Sequence, residues 1–316
     1  MTALVCILAF VFIIGLCIGS FLNVVILRAL SDESIVFPAS KCPKCQTPLK
    51  WWHNIPVISY IFLGGKCAFC KEKISIQYPI IELLTGIIFV LLFLKFGVSF
   101  YTLFFWIISS LFVVIAGTDI KEKVVFDVHN YILIALGLLH AIVMTVFFAK
   151  ETVNLSIINN PLTSSVLGII AGLLIMELLA RSGYIFAGTR AFGEGDTFIA
   201  MGLGAVFGWR TLIVLLILSV IIQVILFLPV FVRGLVCNKD WKTLILFSIF
   251  VIFATGFFII KPTGAAYTIS AILLALIGIA SCVFILKGLR ENPSQRTYLP
   301  FGPAMVAAGL IGLLLL

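Results

Sequence analysis

The sequence predicts an all-α polytopic membrane protein with about ten transmembrane helices and a small cytoplasmic zinc-binding loop domain. Three observations predict this class. Of the 316 residues 62% are hydrophobic and 11% are charged, whereas soluble proteins are about half apolar and about a quarter charged. Apolar runs without charges recur at about 20 residues, the length that crosses a bilayer. The only sizeable polar segment, residues 29–78, contains four cysteines in two pairs.

The apolar runs predict the transmembrane helices in order along the chain. The first run lacks a basic N-terminal flank and is longer than the apolar core of a signal peptide, so we expect a retained span. The run at 197–208 is too short to cross the bilayer unless it is tilted, and we place its boundary with the next run at Gly208-Trp209-Arg210. The predicted spans are 3–27, 79–96, 99–118, 130–149, 162–180, 197–208, 211–232, 243–260, 264–286 and 299–316.

The distribution of lysine and arginine predicts the orientation. When alternate connections are counted, 17 of the 21 basic residues fall on one side, and the other side holds Lys95, Lys150, Arg210 and Lys261. The positive-inside rule makes the 17-charge side cytoplasmic, which places the N-terminus of the multi-pass chain outside. A basic face on anionic membrane lipid accounts for the net charge of +8, and no nucleic-acid partner is needed.

The polar segment 29–78 carries a metal-ligand pattern. Cys42 and Cys45 form one Cys-x-x-Cys knuckle, Cys67 and Cys70 form another, and 21 residues separate them. Each knuckle presents two sulfurs together, which suits tetrahedral coordination by four thiolates. Structural zinc is the favoured interpretation; iron in the same cage and free or redox-active thiols are the alternatives. Disulfides are disfavoured on the cytoplasmic side.

Two carboxylates lie at the cytoplasmic ends of apolar runs. Asp119 closes the run that begins near Ser99, and Asp196 begins another run, within Gly193-Glu194-Gly195-Asp196. An ionisable residue at the mouth of a membrane span indicates a functional site. Two facing carboxyls that share a proton can activate a water, so the first hypothesis is an intramembrane aspartic protease. Gly193 and Gly195 lack a Cβ and would allow a substrate backbone to approach.

Other polar residues have both structural and functional interpretations. Glu82 lies one turn into the second span, where it could pair with a basic residue of the loop or belong to a site. Asn23 and Arg28 end the first span, and Arg28 has the plain interpretation of a positive-inside anchor. Glu177 is expected to pair with Arg181, one turn further along its helix.

These motifs, taken in order, closely resemble the bacterial prepilin peptidases, also called type IV leader peptidases, of the GxGD aspartic-protease class. The resemblance rests on the paired knuckles, Asp119 and the Gly193–Asp196 motif. It also rests on residues 19–25 (GSFLNVV), 54–60 (NIPVISY), 78–85 (YPIIELLT) and 300–303 (PFGP). It covers residues 15 to 232 and resumes at 299. The chain has Val125-Phe126-Asp127 where the family usually has Leu-Pro-Asp, and residues 233–297 carry two extra predicted spans.

The resemblance implies a polytopic enzyme of the inner membrane with two activities. It would cleave the basic leader from prepilins or pseudopilins at the cytoplasmic membrane face and would then methylate the new N-terminal amine with S-adenosylmethionine. Asp119 and Asp196 match the catalytic aspartates. Residues 1–97 match the methyltransferase-associated region, with Asn23, Arg28 and Glu82 as candidate residues, and residues 98–316 would form the peptidase domain.

Two other interpretations remain open at the level of the sequence. A transporter or channel could use intramembrane carboxylates to bind a cation or relay protons. That interpretation leaves the four-cysteine loop unexplained, and no internal repeat of the transporter kind is apparent. The other alternative is a prepilin peptidase that lacks methyltransferase activity.

Overall fold

Helices account for the regular structure of the described residues. The computed structural model describes residues 2–31, 33–148, 160–187, 192–237 and 300–315, together with the single positions 190, 241, 245, 248 and 249. The long helices are α1 (Thr2–Leu30), α3 (Gln77–Phe96), α4 (Phe100–Glu122), α5 (Asp127–Phe148), α6 (Pro161–Ala187), α7 (Glu194–Cys237) and α8 (Gly302–Leu315). A 3₁₀ turn (Trp51–Asn54) and the short α2 (Ile58–Phe62) lie between α1 and α3.

The all-α membrane class predicted from the sequence is confirmed. Six of the described helices are long and apolar enough to cross a membrane, and α8 is a shorter apolar helix. The helix α7 is interrupted at Gly208, whose φ of 77° and ψ of 168° are not helical, at the boundary expected between 197–208 and 211–232. The predicted spans at 264–286 and nearly all of 243–260 lie outside the described residues, so the count of ten stays a prediction.

The helices α1 and α3 pack closely in opposite directions. A Cβ on Gly15 would lie 2.6 Å from the Cα of Gly86, and one on Gly19 would lie 2.7 Å from the Cα of Glu82. Only a residue without a side chain permits this approach. At the end of this seam the Asn23 amide donates to the Tyr78 carbonyl oxygen at 3.1 Å. The end of α1 therefore lies beside the start of α3.

The first part of α7 packs between α5 and α6 through small residues. Gly168 of α6 and Gly204 of α7 are in backbone contact, and a Cβ on Gly172 would lie 2.8 Å from the Ala200 carbonyl oxygen. The Ser165 hydroxyl donates to the Ala205 carbonyl oxygen at 2.7 Å. These close crossings are typical of membrane helices, where small residues let helix backbones meet.

The helix α8 packs against α4 and α3. At its C-terminal end, Lys95 of α3 donates from Nζ to the carbonyl oxygens of Leu313 and Leu314, at 3.2 and 3.1 Å. An ammonium at this position satisfies carbonyls that have no partner in the helix. The end of α3 and the end of α8 are therefore together, which leaves the start of α8 at the end of the bundle where α4 terminates.

Candidate functional site

The two cysteine knuckles fold in the same way. In each, the N–H of the first cysteine donates to a carbonyl five residues on, and its carbonyl accepts from an N–H four residues on. The distances are 3.1 and 2.9 Å for Cys42 (with Thr47 and Gln46), and 2.8 and 3.1 Å for Cys67 (with Glu72 and Lys71). Gln46 and Lys71 have φ values of 56° and 61°, so the chain turns back at equivalent positions. This repeated turn aims both sulfurs of a knuckle in one direction.

The four sulfurs meet as a coordination site requires. The Sγ atoms of Cys42, Cys45, Cys67 and Cys70 all lie within 4.8 Å of one another, and those of Cys42 and Cys70 are 3.8 Å apart. A tetrahedral zinc with Zn–S bonds of about 2.3 Å has sulfurs about 3.8 Å apart. The donor set therefore fits zinc, and the sequence prediction that these four residues form one cluster agrees with the geometry.

The thiols in this cluster differ in acidity. Hydrogen bonding to Thr47 lowers the pKa of Cys45 to about 6, and backbone hydrogen bonds from Cys70 and Phe69 lower the pKa of Cys67. A backbone hydrogen bond from Glu72 favours the Cys70 thiolate, but burial and the neighbouring thiols outweigh it and raise the pKa of Cys70 to about 11. Without a cation the cluster resists full ionisation, because negative charges at this spacing repel one another.

Asp119 is buried at the last turn of α4. Its side chain is 4% exposed, and α4 ends when Lys123 adopts a left-handed conformation and donates its N–H to the Asp119 carbonyl at 2.9 Å. The carboxylate oxygen Oδ2 lies against Gly302, the first residue of α8, in space that a Cβ on that glycine would occupy. The start of a helix carries partial positive charge and favours a carboxylate at this position.

Asp196 is buried at the first turn of α7 and is also 4% exposed. The preceding residue, Gly195, packs on the chain that follows α4: its Cβ would lie 2.5 Å from the Cβ of Val125. A Cβ on Gly302, which would overlap Asp119, would also lie 3.1 Å from the Cδ1 of Ile199. Two separate contacts therefore bring the end of α4 and the beginning of α7 to the same region.

The three methyltransferase candidates, Asn23, Arg28 and Glu82, lie at the end of the helical bundle that also holds Asp119 and Asp196. A Cβ on Gly117 of α4 would overlap the Cδ1 of Ile26 of α1, so the end of α1 packs two residues before Asp119. Asn23, 1% exposed, faces α3, and its Oδ1 is buried without a partner among the described residues. The sequence alone contained no signal for the contact between Ile26 and Gly117.

Glu82 and Arg28 hold the cysteine loop. The Glu82 carboxylate is 6% exposed and accepts the Val57 N–H at 2.7 Å. Val57 has a φ of 60°, a strained conformation for a β-branched residue. Arg28 donates from Nη1 to the Ser34 carbonyl at 2.6 Å and from Nη2 to the Pro38 carbonyl. Glu82 forms no ion pair with a loop lysine within the described part of the chain, and it contacts the loop through the loop backbone.

Glu177 has more partners than the sequence predicted. It pairs with Arg181 at 2.9 Å, as expected from the helical spacing, and also with Arg190 at 2.8 Å. Arg190 in turn donates from Nε to the Phe192 carbonyl at 3.0 Å. These contacts tie the segment just before Gly193 to α6. Helical periodicity could not reveal the second pair, because 13 residues separate its members.

The fold and the site together define a polytopic helical membrane protein with buried aspartates at helix ends and, in a loop, a cluster of four thiols that could hold a metal ion. The sequence comparisons give the family. Residues 13–96 match the bacterial peptidase A24 N-terminal domain, and residues 106–228 match the type IV leader peptidase family. The chain belongs to the type IV leader peptidase family. No solved structure matches the chain.

Several relatives share most of this region, and each is named prepilin leader peptidase/N-methyltransferase. That of Neisseria gonorrhoeae is 36% identical over 237 residues, covering 67% of this chain and 78% of the relative. That of Klebsiella pneumoniae is 34% identical over 210 residues, covering 65% and 86%. That of Myxococcus xanthus is 32% identical over 204 residues, covering 65% of this chain and 57% of the relative.

Proposed function

We propose that this protein cleaves the leader peptide of prepilins or pseudopilins at the cytoplasmic membrane face and N-methylates the new N-terminal residue. Membership of the type IV leader peptidase family and the names of the relatives support both activities. The observation that carries cleavage is the burial of Asp119 and Asp196 at helix ends that pack together. A transporter would not need the four-thiol centre.

Cleavage follows from what two neighbouring aspartates can do. One aspartate is ionised, and its carboxylate takes a proton from a water while the oxygen of that water attacks the scissile carbonyl carbon. The other aspartate is protonated, and its carboxyl group donates a hydrogen bond to the carbonyl oxygen. The tetrahedral intermediate then collapses, the C–N bond breaks, and the leaving amine takes up a proton. Asp119 and Asp196 are the residues we assign to these roles. Gly195 packs on Val125, so the chain itself fills the space that a side chain at this glycine would take.

The membrane setting selects the substrate. Apolar helices exposed to lipid would let a pilin precursor approach laterally with its own apolar helix in the bilayer. The basic leader would remain in the cytoplasm, and only the junction would reach the aspartates. This arrangement requires the orientation predicted from the basic residues, with the N-terminus outside and the ends of α1 and α4 at the cytoplasmic face.

Methyl transfer is assigned to residues 1–97, and cleavage to residues 98–316. The two family matches, 13–96 and 106–228, fall on either side of this division and support it. S-adenosylmethionine supplies the methyl group when bound. The protein must hold the freed amine unprotonated and in line with the methyl donor, which is mostly a matter of position. Asn23, Arg28 and Glu82 are the candidates for this region.

The four cysteines would hold one structural zinc. A segment of about fifty residues has little core of its own, and a metal that joins its two knuckles stabilises it. Glu82 and Arg28 connect the loop to α3 and α1 through its backbone. We propose that the metal-stabilised loop maintains the conformation of the methyltransferase region. The aspartates lie on other helices and do not depend on the loop in this way.

The test is to incubate the purified protein with a prepilin and labelled S-adenosylmethionine and to examine the product by mass spectrometry. The expected product is a shortened pilin that carries one additional methyl group. Asp119→Asn and Asp196→Asn should each abolish cleavage in folded, inserted protein, while Glu177→Gln serves as the charge-removal control and should matter much less. If the wild-type protein leaves the precursor uncleaved, the result would favour a transporter. Cleavage without methylation would indicate a peptidase that lacks methyltransferase activity.

A further inference from the structure

Asn130 is a buried polar residue for which the proposed chemistry has so far given no role. It lies in the first turn of α5, and its side chain is 0% exposed. Neither Nδ2 nor Oδ1 has a hydrogen-bond partner among the described residues. Buried amides in native proteins are nearly always paired, and an unpaired one lowers stability, so such a group calls for an explanation.

The Asn130 side chain lies on the face of α5 that packs on α7. Positions i, i+3 and i+7 share one face of a helix, so Asn130 lies in line with Leu133 and Gly137. A Cβ on Gly202 of α7 would lie 2.5 Å from the Cδ2 of Leu133, and one on Gly137 would lie 2.8 Å from the Cβ of Ala205. The two helices therefore run side by side in the same direction.

This register places Asn130 beside the first turn of α7. Leu133 lies opposite Gly202. Asn130 is one turn before Leu133 on α5, so it lies opposite the turn that is one turn before Gly202 on α7, the turn around Phe198. The ring of Tyr131, the neighbour of Asn130, is 5.6 Å from the ring of Phe198. Asp196 belongs to this turn.

Two further observations concern this seam. Further towards the end of the bundle, Gly195 packs on Val125, two residues before α5, so the two segments stay in contact beyond Asn130. Thr197, next to Asp196, is 5% exposed, and its Oγ1 is also buried without a partner within the described ranges. Two buried, unpaired polar side chains, one from each helix, therefore lie near the turn that contains a candidate catalytic aspartate.

We propose that Asn130 is a substrate-binding residue of the peptidase site, whose carboxamide pairs with the prepilin main chain next to the scissile bond. The proposal rests on the proposed peptidase function. A carboxamide has a donor and an acceptor, which match the C=O and N–H of one peptide unit. The substrate must unwind at the junction to expose its carbonyl, and its freed backbone groups need partners where water is scarce. Asn130 supplies them, and substrate binding satisfies the amide.

The first test replaces the amide with an apolar side chain of similar volume. Asn130→Leu should lower kcat/KM for prepilin cleavage by about 10- to 100-fold, the cost of losing one or two hydrogen bonds in a buried site. Its thermal stability should be unchanged or higher, because an unpaired polar group has been removed. Asn130→Ala provides the same test if the leucine variant does not fold. Ser109→Ala, which alters a buried hydroxyl bonded to the Trp106 carbonyl, should retain wild-type cleavage.

The second test separates binding of the main chain from a structural role. A set of synthetic prepilin peptides would each carry an ester in place of one amide beside the scissile bond, which removes one N–H. For at least one position the wild-type protein should cleave the ester peptide several-fold more slowly than the amide peptide, and Asn130→Leu should show no such difference.

The outcomes distinguish this proposal from the function on which it rests. A wild-type protein that leaves prepilin uncut overturns the peptidase function itself. Wild-type cleavage together with unchanged kcat/KM in both Asn130 variants overturns the role of Asn130 alone, and the amide is then satisfied by buried water. An equal ester penalty in wild-type and variant protein also overturns it.

Discussion

Gly302→Ala is expected to disable cleavage by displacing Asp119. A Cβ on Gly302 would overlap Asp119 Oδ2 and would lie 3.1 Å from the Cδ1 of Ile199. Because real Cβ atoms keep at least 3.0 Å from other heavy atoms, the carboxylate must retreat by roughly 1 Å or the start of α8 must move. A misplacement of about 1 Å in a catalytic group can reduce the rate by about 100-fold. We expect a loss of that order in kcat for prepilin cleavage.

The control for this substitution is on the same helix. Gly312→Ala also adds a methyl group to α8, but its Cβ would contact Leu215 at 3.0 Å and Phe207 at 3.3 Å, away from Asp119. Both variants gain about 1 kcal/mol of helix propensity at most, so their difference isolates the contact with Asp119. Both should still methylate a pilin that has been cleaved beforehand. Wild-type cleavage by Gly302→Ala would refute the assignment of Asp119 or the contact at the start of α8.

Three further predictions concern the first half of the chain. Purified protein should contain about one zinc per chain by elemental analysis. The Cys42→Ser substitution should lower the zinc content and impair methylation more than cleavage. Wild-type protein with no metal and four freely alkylated thiols would exclude the site. In metal-free protein at pH 7, iodoacetamide should modify Cys45 before Cys70, because pKa values of about 6 and about 11 leave the Cys45 thiol ionised and the Cys70 thiol protonated. The rate of Cys45 modification should fall as the pH drops below 6, where its thiolate is lost. Glu82→Gln should depress methylation of mature pilin while cleavage persists, and a normal methylation rate would restrict Glu82 to holding the loop at Val57.

The sequence predicted what depends on local pattern. Apolar run length gave the helices that contain both aspartates, and Asp119 and Asp196 fall at helix ends as expected. Cysteine spacing predicted a cluster that the fold brings within 4.8 Å. Local pattern also predicted the pair of Glu177 with Arg181, because these residues are one helical turn apart.

What the sequence left undetermined depends on how helices meet. The overlap of a Cβ on Gly302 with Asp119 joins residues 183 positions apart in the chain, and no periodicity encodes it. Asn130 is different, because its position in line with Leu133 and Gly137 is visible as a polar residue on an apolar helix face. That signal was present in the sequence, but only the packing of α5 on α7 shows which turn the amide faces.

A single chain that cuts a helix and then modifies the new end needs its two sites close together, and the packing provides this. Ile26 of α1 contacts Gly117 of α4. Asn23 is three residues from Ile26, and Asp119 is two residues from Gly117, so the two candidate residues are offset by about five residues, or roughly 7.5 Å, along the helix axes. A cleaved pilin anchored in the bilayer by its apolar helix could therefore present its new amine to the first half of the chain through a small shift. The seam between α1 and α4, rather than a flexible linker, would then connect cleavage to methylation.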